Sequence, residues 1–594
     1  MATTAKGVVT TISAFPLLLV AHLWYNVGTM YIRTVSVKKT HKTFRYVQLC
    51  HNYRDPVTGV SKTKVLHNLG PADALDTEAL RRLVNSISRY LEPDEAAEAQ
   101  AIAGNIQPFE FKGSRELGGT WLLDGLWQRL GIRKVLETLL REREFATPIE
   151  LLIFAMVANR ALAPCSKLGL EHWVANKVHI SGLDEVEVHQ LYRAMDFLLE
   201  ADEKIQHDVF FSVANLFNLE VDLIFVDTTN VYFEIEHTDE DVFGDDGELT
   251  REGLRKRGRN KQKRHDLAQV TIAFAITRSG IPVRCWSFPG NSCDQNLVEA
   301  VKKDLNDWQL GRVVMVMDSG FNSAANQRVL QGAGDHYIIG EKMRLGPGAE
   351  PAEALRRGGR YKKLANGLEI KEVLINEGSA AQRRFIVVRN PTEAKRDRLK
   401  RDDIVAEIER RLEALKQLEG EAHTKGTCKL RSHPTFGRYL RQNRAGVLSL
   451  DKAKIRKETQ LDGKYLVSSS DDKLSAEDIV LGYKQLWDIE RVFRDLKHVV
   501  DIRPVYHRKG ERIRAHVLLC WLSLLLIRVA ENATGATWHQ IKRAFDTMQV
   551  GIHSTDCGEV WQTTKPSEVQ EDFLQKLQLE APPRYLNIKP PTQP

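Results

Sequence analysis

Between residues 221 and 345, apolar segments of strand length are punctuated by turn residues and then alternate with helix-length segments, and this order restricts the chain more than any other feature. VDLIFVDTTNVYFE, LAQVTIAFAITRSG and IPVRCWSFPG are rich in β-branched and aromatic residues and bounded by turn formers, as buried strands are. The helical segment NLVEAVKKDLNDW comes next, then the strand RVVMVMDSG, the short helix SAANQRVLQ and the strand HYIIGEK.

Around this block the pattern changes. Residues 30–70 read as polar, alternating strands with a Pro-Val-Thr-Gly turn, and residues 71–215 as helical, with apolar repeats such as LLIFAMVANRAL. A helical region ahead of a catalytic domain either holds DNA or is a packed structural bundle. Residues 346–460 interrupt the α/β order with strand-like LEIKEVLINEG and RRFIVVRN, a charged helix (TEAKRDRLKRDDIVAEIERRLEALKQLEG) and a basic loop (TKGTCKLRSHPTFGRYLRQNR). KYLVSSS resumes strand character, followed by one long helix over 475–500 and a second over 511–530. The expected organisation is an apolar leader at 1–29, a β-rich segment at 30–70, a helical region at 71–215, an α/β core split into 216–345 and 461–534 by an insertion at 346–460, and a tail at 535–594. Three strands, a helix and a fourth strand are the order of a ribonuclease-H-like domain, and order alone leaves other α/β folds open.

Charge narrows the partners only slightly. Lys and Arg number 85 against 78 Asp and Glu, a net +7 that tolerates a polyanion without demanding one. Seven cysteines without a CxxC pair indicate neither a zinc ribbon nor a disulfide framework, and read as reduced thiols of a cytoplasmic protein. Residues 8–32 lack Asp, Glu, Lys and Arg, yet Pro16 and His22 interrupt the run and no A-x-A site follows. They read first as translated upstream sequence ahead of a start at Met30, and second as a secretory signal. The run VLLCWLSLLLI at 517–527 is too short to span a bilayer and reads as a core helix, so no membrane partner is expected.

Two acids stand where open α/β sheets bind ligands, at the ends of core strands: Asp227 in LIFVDTTN and Asp318 in VVMVMDSGFNS. Either alone reads as a turn cap, whereas the pair at matching positions of neighbouring strands points to a shared crevice. Glu490 lies in YKQLWDIERVFRDLKHVV, where Tyr483, Glu490 and Lys497 recur every seven residues and so share a helical face. Leu486, Ile489, Phe493, Leu496 and Val500 form the adjoining apolar stripe, which docks the helix on the sheet. Three converging carboxylates repel one another unless cations lie between them, and oxygen-only ligands suit Mg²⁺ or Mn²⁺. Two such ions serve in-line phosphoryl displacement without a His nucleophile or organic cofactor.

These blocks resemble the DDE transposases of bacterial insertion sequences, in the subgroup with a Tyr-x2-Arg-x3-Glu-x6-Lys signature. The resemblance rests on Asp227-Thr228-Thr229-Asn230, on Asp318-Ser319-Gly320-Phe321-Asn322-Ser323, and on the loop residues Gly258, Lys261, Arg264, Asp266, Leu267 and Gln269. It rests also on Gly290, Asn291 and Asp294 of a GN-x-x-D segment, and on Tyr483, Glu490 and Lys497 of the signature helix. The signature's Arg is Leu486 here, so its grip on a DNA-end phosphate passes to Lys484, Arg491 or Arg494, or is lost. The resemblance implies a ribonuclease-H-like catalytic domain with an insertion. It implies two Mg²⁺ ions, replaceable by Mn²⁺, held by Asp227, Asp318 and Glu490, and a phosphate fixed by Tyr483 and Lys497. It further implies cleavage of double-stranded transposon inverted-repeat ends and joining of the 3′-OH to target DNA by a homodimer in a synaptic complex.

Basic segments add candidate DNA contacts. REGLRKRGRNKQKRH (251–265) holds eight Lys and Arg and one acid, and a second cluster comprises Arg503, His507, Arg508, Lys509, Arg512 and Arg514. A charge run alone is a solvated loop; beside a metal and phosphate site it can neutralise DNA phosphates. Tyr483, Lys497, Arg494, Arg491, Lys261, Arg264 and Arg508 are the expected DNA-binding residues, while Trp286, Phe288 and Trp487 read as core packing before base stacking. Two rivals remain at this stage, a structure-specific metal-dependent nuclease and a catalytically silent DNA-binding protein derived from a transposase.

Overall fold

The computed structural model describes residues 29–39, 42–55, 57–87, 90–91, 109–141, 143, 147–219, 221–235, 237–259, 264–308, 310, 312–346, 348–379, 381–555 and 558–589. The leader at 1–28 and Lys261 lie outside these residues. The chain forms two compact units, one of residues 1–111, 554–559 and 589–594, the other of residues 112–553 and 560–588. In the first, strands Thr29–Lys39, Lys42–Arg54 and Ser61–Pro71 make an antiparallel three-stranded sheet, followed by the helix Thr77–Ile87.

The second unit is built on one large sheet. Its strands are β1 (Leu223–Phe233), β2 (Ala268–Thr277), β3 (Pro282–Pro289), β4 (Val314–Met317), β5 (His336–Glu341), β6 (Glu369–Ile375), β7 (Arg383–Arg389) and β8 (Lys464–Ser469). They lie in the order β3-β2-β1-β4-β5-β8-β7-β6. The first three are mutually antiparallel, and β4 runs parallel to both β1 and β5. This is the ribonuclease-H-like arrangement, reached because the β2–β3 hairpin needs only a tight turn whereas β4 and β5 each need a helical crossover. Strands β6 and β7 come from the stretch set aside as an insertion, and β8 joins them antiparallel to β5 at the sheet edge. The rest of that stretch forms the charged helix Pro391–Leu415 and a small core of Ile408, Leu430, Phe436, Tyr439 and Leu440. The segment expected as a basic loop contains the helix Gly420–Arg431, because Thr427 and Leu430, three residues apart, give it an inward face.

Alternation along β1 explains why the sheet is covered on both sides. Leu223 and Phe225 belong to one core and Ile224 and Val226 to another, so successive side chains enter opposite layers. The first layer contains helices α1 (Ile149–Leu162), α2 (Val188–Glu200) and, later in the chain, Gly510–Thr534; the second contains α3 (Asp202–Phe217), through Phe210, and α4 (Asp294–Asn306). Strands buried on both faces read as unbroken apolar runs, which is why they were recognisable. Helix Gly510–Thr534 is long and apolar enough to cross a membrane, and 89% of its apolar window is buried within the protein.

The long helix expected over 475–500 is two, α5 (Ala476–Lys484) and α6 (Leu486–His498), separated at Gln485. Buried Val492, Phe493, Leu496 and Val500, with partly buried Leu486, dock α6 on the first core, as the apolar stripe required. The Ile489 side chain lies outside what is described.

Candidate active site

The parallel register fixes the two aspartates. Pairing between β1 and β4 ends at Val226 opposite Met317, so Asp227 and Asp318 are the next residues on adjacent strands. Side-chain alternation sends both away from the Val226 and Met317 core, toward the face carrying α5 and α6. Asp227 does not close its strand as expected. β1 continues to Phe233 because, beyond the end of its ladder with β4, it still pairs with β2. Each carboxylate is anchored by the next backbone amide: Thr228 N–H donates to Asp227 Oδ1 at 2.7 Å and Ser319 N–H to Asp318 Oδ1 at 2.6 Å.

Glu490 approaches from the same face. Phe274 is the cross-strand partner of Asp227, and its ring meets that of Phe493 at 5.8 Å, one helical turn beyond Glu490. The Glu490 side chain is exposed, and among the described residues no three His, Cys, Asp or Glu side chains are close enough to hold a metal ion. The structure therefore brings Asp227 and Asp318 side by side with Glu490 over the same face, but does not gather the three acids. Asp227 and Asp318 alone offer the oxygen donors that suit a hard divalent cation.

Tyr483 and Glu490 do not share a helical face as the seven-residue spacing suggested. The break at Gln485 separates their helices, so Tyr483 turns inward, its hydroxyl bonded to Asp318 and its ring stacked on Tyr465 at 5.9 Å. Burial and the Asp318 charge push the Tyr483 phenol well above its usual range. Arg491 points to Glu531 at 3.7 Å and so ties α6 to the helix Gly510–Thr534, while Arg494 is exposed. Trp286 and Phe288 pack against the second core, but Trp487 is 74% exposed, contrary to the core role expected of it.

The sequence reading passed over Asp294 as a site residue. It opens α4, and its Oδ1 accepts from the Thr228 hydroxyl at 2.6 Å, next to Asp227. A Cβ on Gly320 would lie 3.0 Å from its other oxygen, so Asp294 also backs the turn after Asp318. The GN-x-x-D block was the available signal. Its Gly290 is pressed against Gly258 and Gln269, whose side-chain amide donates to the Gly290 carbonyl at 2.7 Å.

A cleft of about 620 Å³ opens beyond the end of β1, lined by Tyr232, Arg255, Lys497, Arg503, Tyr506 and Arg508. Of the cationic candidates, Arg508 is exposed and Arg264 is paired with Asp266 at 2.9 Å. Arg512 and Arg514 are spent on structure, bonding Asp196 at 2.8 Å and the Ser287 carbonyl at 3.0 Å. His507, also in the cleft wall, is held down to about 4 by burial and by Lys167, Arg512 and Arg160, with His516 and Tyr192 packed beside it. Its folded value lies below the free imidazole's, so its contribution is complete above pH about 6.5 and is lost as pH falls toward 4. Allowing for partial exposure, about 2 kcal/mol should disappear across that window. Thermal unfolding of wild type and His507→Gln between pH 7 and 4 checks this, since the variant should show a flatter acid limb; equal limbs would show that His507 is not responsible.

Residues 222–526 match the family model of the transposase DDE domain, and residues 32–99 match that of the IS1634 family transposase N-terminal domain. No curated protein matches the chain. A chain of the cryo-EM structure of the piggyBac transposase synaptic complex with hairpin DNA aligns over 72% of this chain and 78% of its own, at 11% identity and a TM-score of 0.30. The fold and the paired strand-end aspartates are those of a polynucleotidyl transferase core. The DDE match covers more than half of the chain, which belongs to the DDE transposases of insertion sequences. It is accordingly an enzyme that cuts DNA and transfers strands, of a family that generally uses divalent metal ions.

Proposed function

We propose that Asp227, Asp318 and Glu490 hold two Mg²⁺ ions, with Mn²⁺ able to replace them. The observation that carries this reading is the register in which Asp227 and Asp318 follow Val226 and Met317 on adjacent parallel strands. Bound divalent ions would activate a water or 3′-hydroxyl and stabilise the leaving oxygen of a phosphodiester. The residues of the chain have separate tasks. Asp227 and Asp318 present oxygens fixed by backbone amides, α6 carries Glu490 across the same sheet face, and Asp294 holds the Thr228 hydroxyl. Glu490→Gln is the discriminating variant, because this acid is not gathered with the other two. Loss of end cleavage with end binding retained supports its assignment, and wild-type cleavage would move the third ligand elsewhere.

The substrate in this reading is double-stranded DNA, the element's inverted-repeat ends and a target, handled by a homodimer in a cytoplasmic synaptic complex. Lys497 and Arg508, which line the cleft beyond β1, together with Arg494, Arg264 and Lys261, are assigned to phosphates; Arg491 and Tyr483 are better explained by their contacts within the protein. Membership of the Tyr-Arg-Glu-Lys subgroup is part of the proposal, with Leu486 in the Arg position. Leu486 is partly buried at the start of α6, yet an Arg there can lay its stem along the same surface and reach a phosphate. Leu486→Arg should therefore strengthen end binding modestly and steepen the slope of log K against log[salt] by about 0.9. Binding measured from low to moderate salt tests this; an unchanged slope in a folded variant would separate this part of α6 from DNA.

A further inference from the structure

We propose that Tyr483 is a positioning residue for Asp318, and that Gly340 is a glycine to let it be one. The proposal rests on the reading of Asp318 as a metal-binding acid and assigns a different task to the signature tyrosine, which resemblance alone had given to a DNA phosphate.

Three elements converge on the Asp318 carboxylate. Ser319 N–H donates to Oδ1 at 2.6 Å, and the Tyr483 hydroxyl, reaching in from the last turn of α5, bonds the same carboxylate. The third element is β5, immediately beside β4. A Cβ at Gly340 would stand 2.2 Å from the Tyr483 oxygen and 3.2 Å from Ser319 N, so any side chain there would displace the phenol or the turn. The Gly340 carbonyl accepts from Asn322 Nδ2 at 3.1 Å, which secures β5 to the turn that follows Asp318. Tyr465 of β8 stacks on the Tyr483 ring and restricts its swing.

The consequence is orientation. A carboxylate at a strand end with a single amide contact can turn about its side-chain torsions, whereas a second donor on another element fixes its plane. The phenol is suited to this task because burial and the neighbouring charge keep its proton on, so it donates throughout any working pH range. Hydrogen bonds to charged groups are the stronger class, so removing one should be measurable without removing the carboxylate. A tyrosine committed to Asp318 inside the protein is poorly placed to grip a DNA backbone.

The test uses the full chain, with Asp318→Asn as reference and Tyr483→Phe and Gly340→Ala as probes. Three quantities are measured on each: Mn²⁺ affinity by titration calorimetry, affinity in EDTA for a duplex carrying the element's own terminal repeat, and the Mn²⁺ concentration giving half-maximal nicking. Tyr483→Phe should weaken Mn²⁺ binding and raise the half-maximal concentration by about tenfold, while end affinity in EDTA stays within about twofold. Gly340→Ala should shift the metal readouts in the same direction; if it fails to fold, the isosteric Phe variant carries the test alone. Weakened end binding with unchanged metal affinity would overturn the proposal in favour of a phosphate contact, and unchanged values throughout would leave Tyr483 no role at Asp318. Should Asp318→Asn itself retain wild-type metal binding and cleavage, the reading of Asp318 fails, and the proposal with it.

Discussion

Asp227→Asn and Asp318→Asn should each reduce cleavage of a labelled transposon end by at least about a thousandfold, because each removes an anionic ligand from the centre that stabilises the developing charge, a loss of several kcal/mol. Folding should be nearly unaffected. Asp318 is exposed and Asp227 half-buried, and Asn keeps an oxygen to accept from Thr228 N–H or Ser319 N–H. End binding in EDTA should change by less than about threefold, since DNA affinity is carried by phosphate contacts. Gel-shift and nicking assays on the same preparations separate the two effects. Cleavage within tenfold of wild type in either variant would remove that aspartate from the active site.

The largest effect on stability is expected at Gly290, well away from the carboxylates. A Cβ there would lie 1.9 Å from the Gln269 carbonyl oxygen and 2.5 Å from that of Lys256, both backbone atoms. Gln269 is fully buried at the start of β2, so the obstacle cannot swing aside as a flexible side chain would. Gly290→Ala should cost at least about 3 kcal/mol, at the upper end of overpacking penalties. It should also loosen the segment through Gly258 that leads into the basic loop. Urea unfolding measures the cost directly. A midpoint close to wild type would mean that the 256–258 segment and β3 do not pack as described.

The legible parts of this fold are those whose signals are local. Strands β1, β2 and β4 announce themselves by unbroken β-branched and apolar runs, because burial on both faces leaves no polar alternation to obscure them. The same locality made Asp227 and Asp318 visible as a pair, since both follow such runs. Non-local features were hidden. Nothing in LEIKEVLINEG or RRFIVVRN says that these strands extend the core sheet through β8, because that depends on Ile338 meeting Ser469 across more than a hundred residues. The break at Gln485 is equally silent: the residue is neither Gly nor Pro, and the two helices separate to satisfy Asp318 on one side and the Phe274 surface on the other. The helix period was read correctly within α6 and failed only where it was carried across that break. Trp487 misled for a related reason, since a large aromatic beside an apolar stripe reads as core until the helix orientation is known.

Strand transfer with precleaved ends tests the central claim most directly. A duplex carrying the element's terminal repeat with a free 3′-OH is incubated with the full chain, supercoiled plasmid and Mg²⁺, and the products are sequenced across the new junctions. The account predicts covalent joining of that 3′-OH to plasmid strands, dependent on metal and abolished in Asp227→Asn. Plasmid nicking without any joined product would contradict it, and would make this chain a metal-dependent nuclease on a transposase fold.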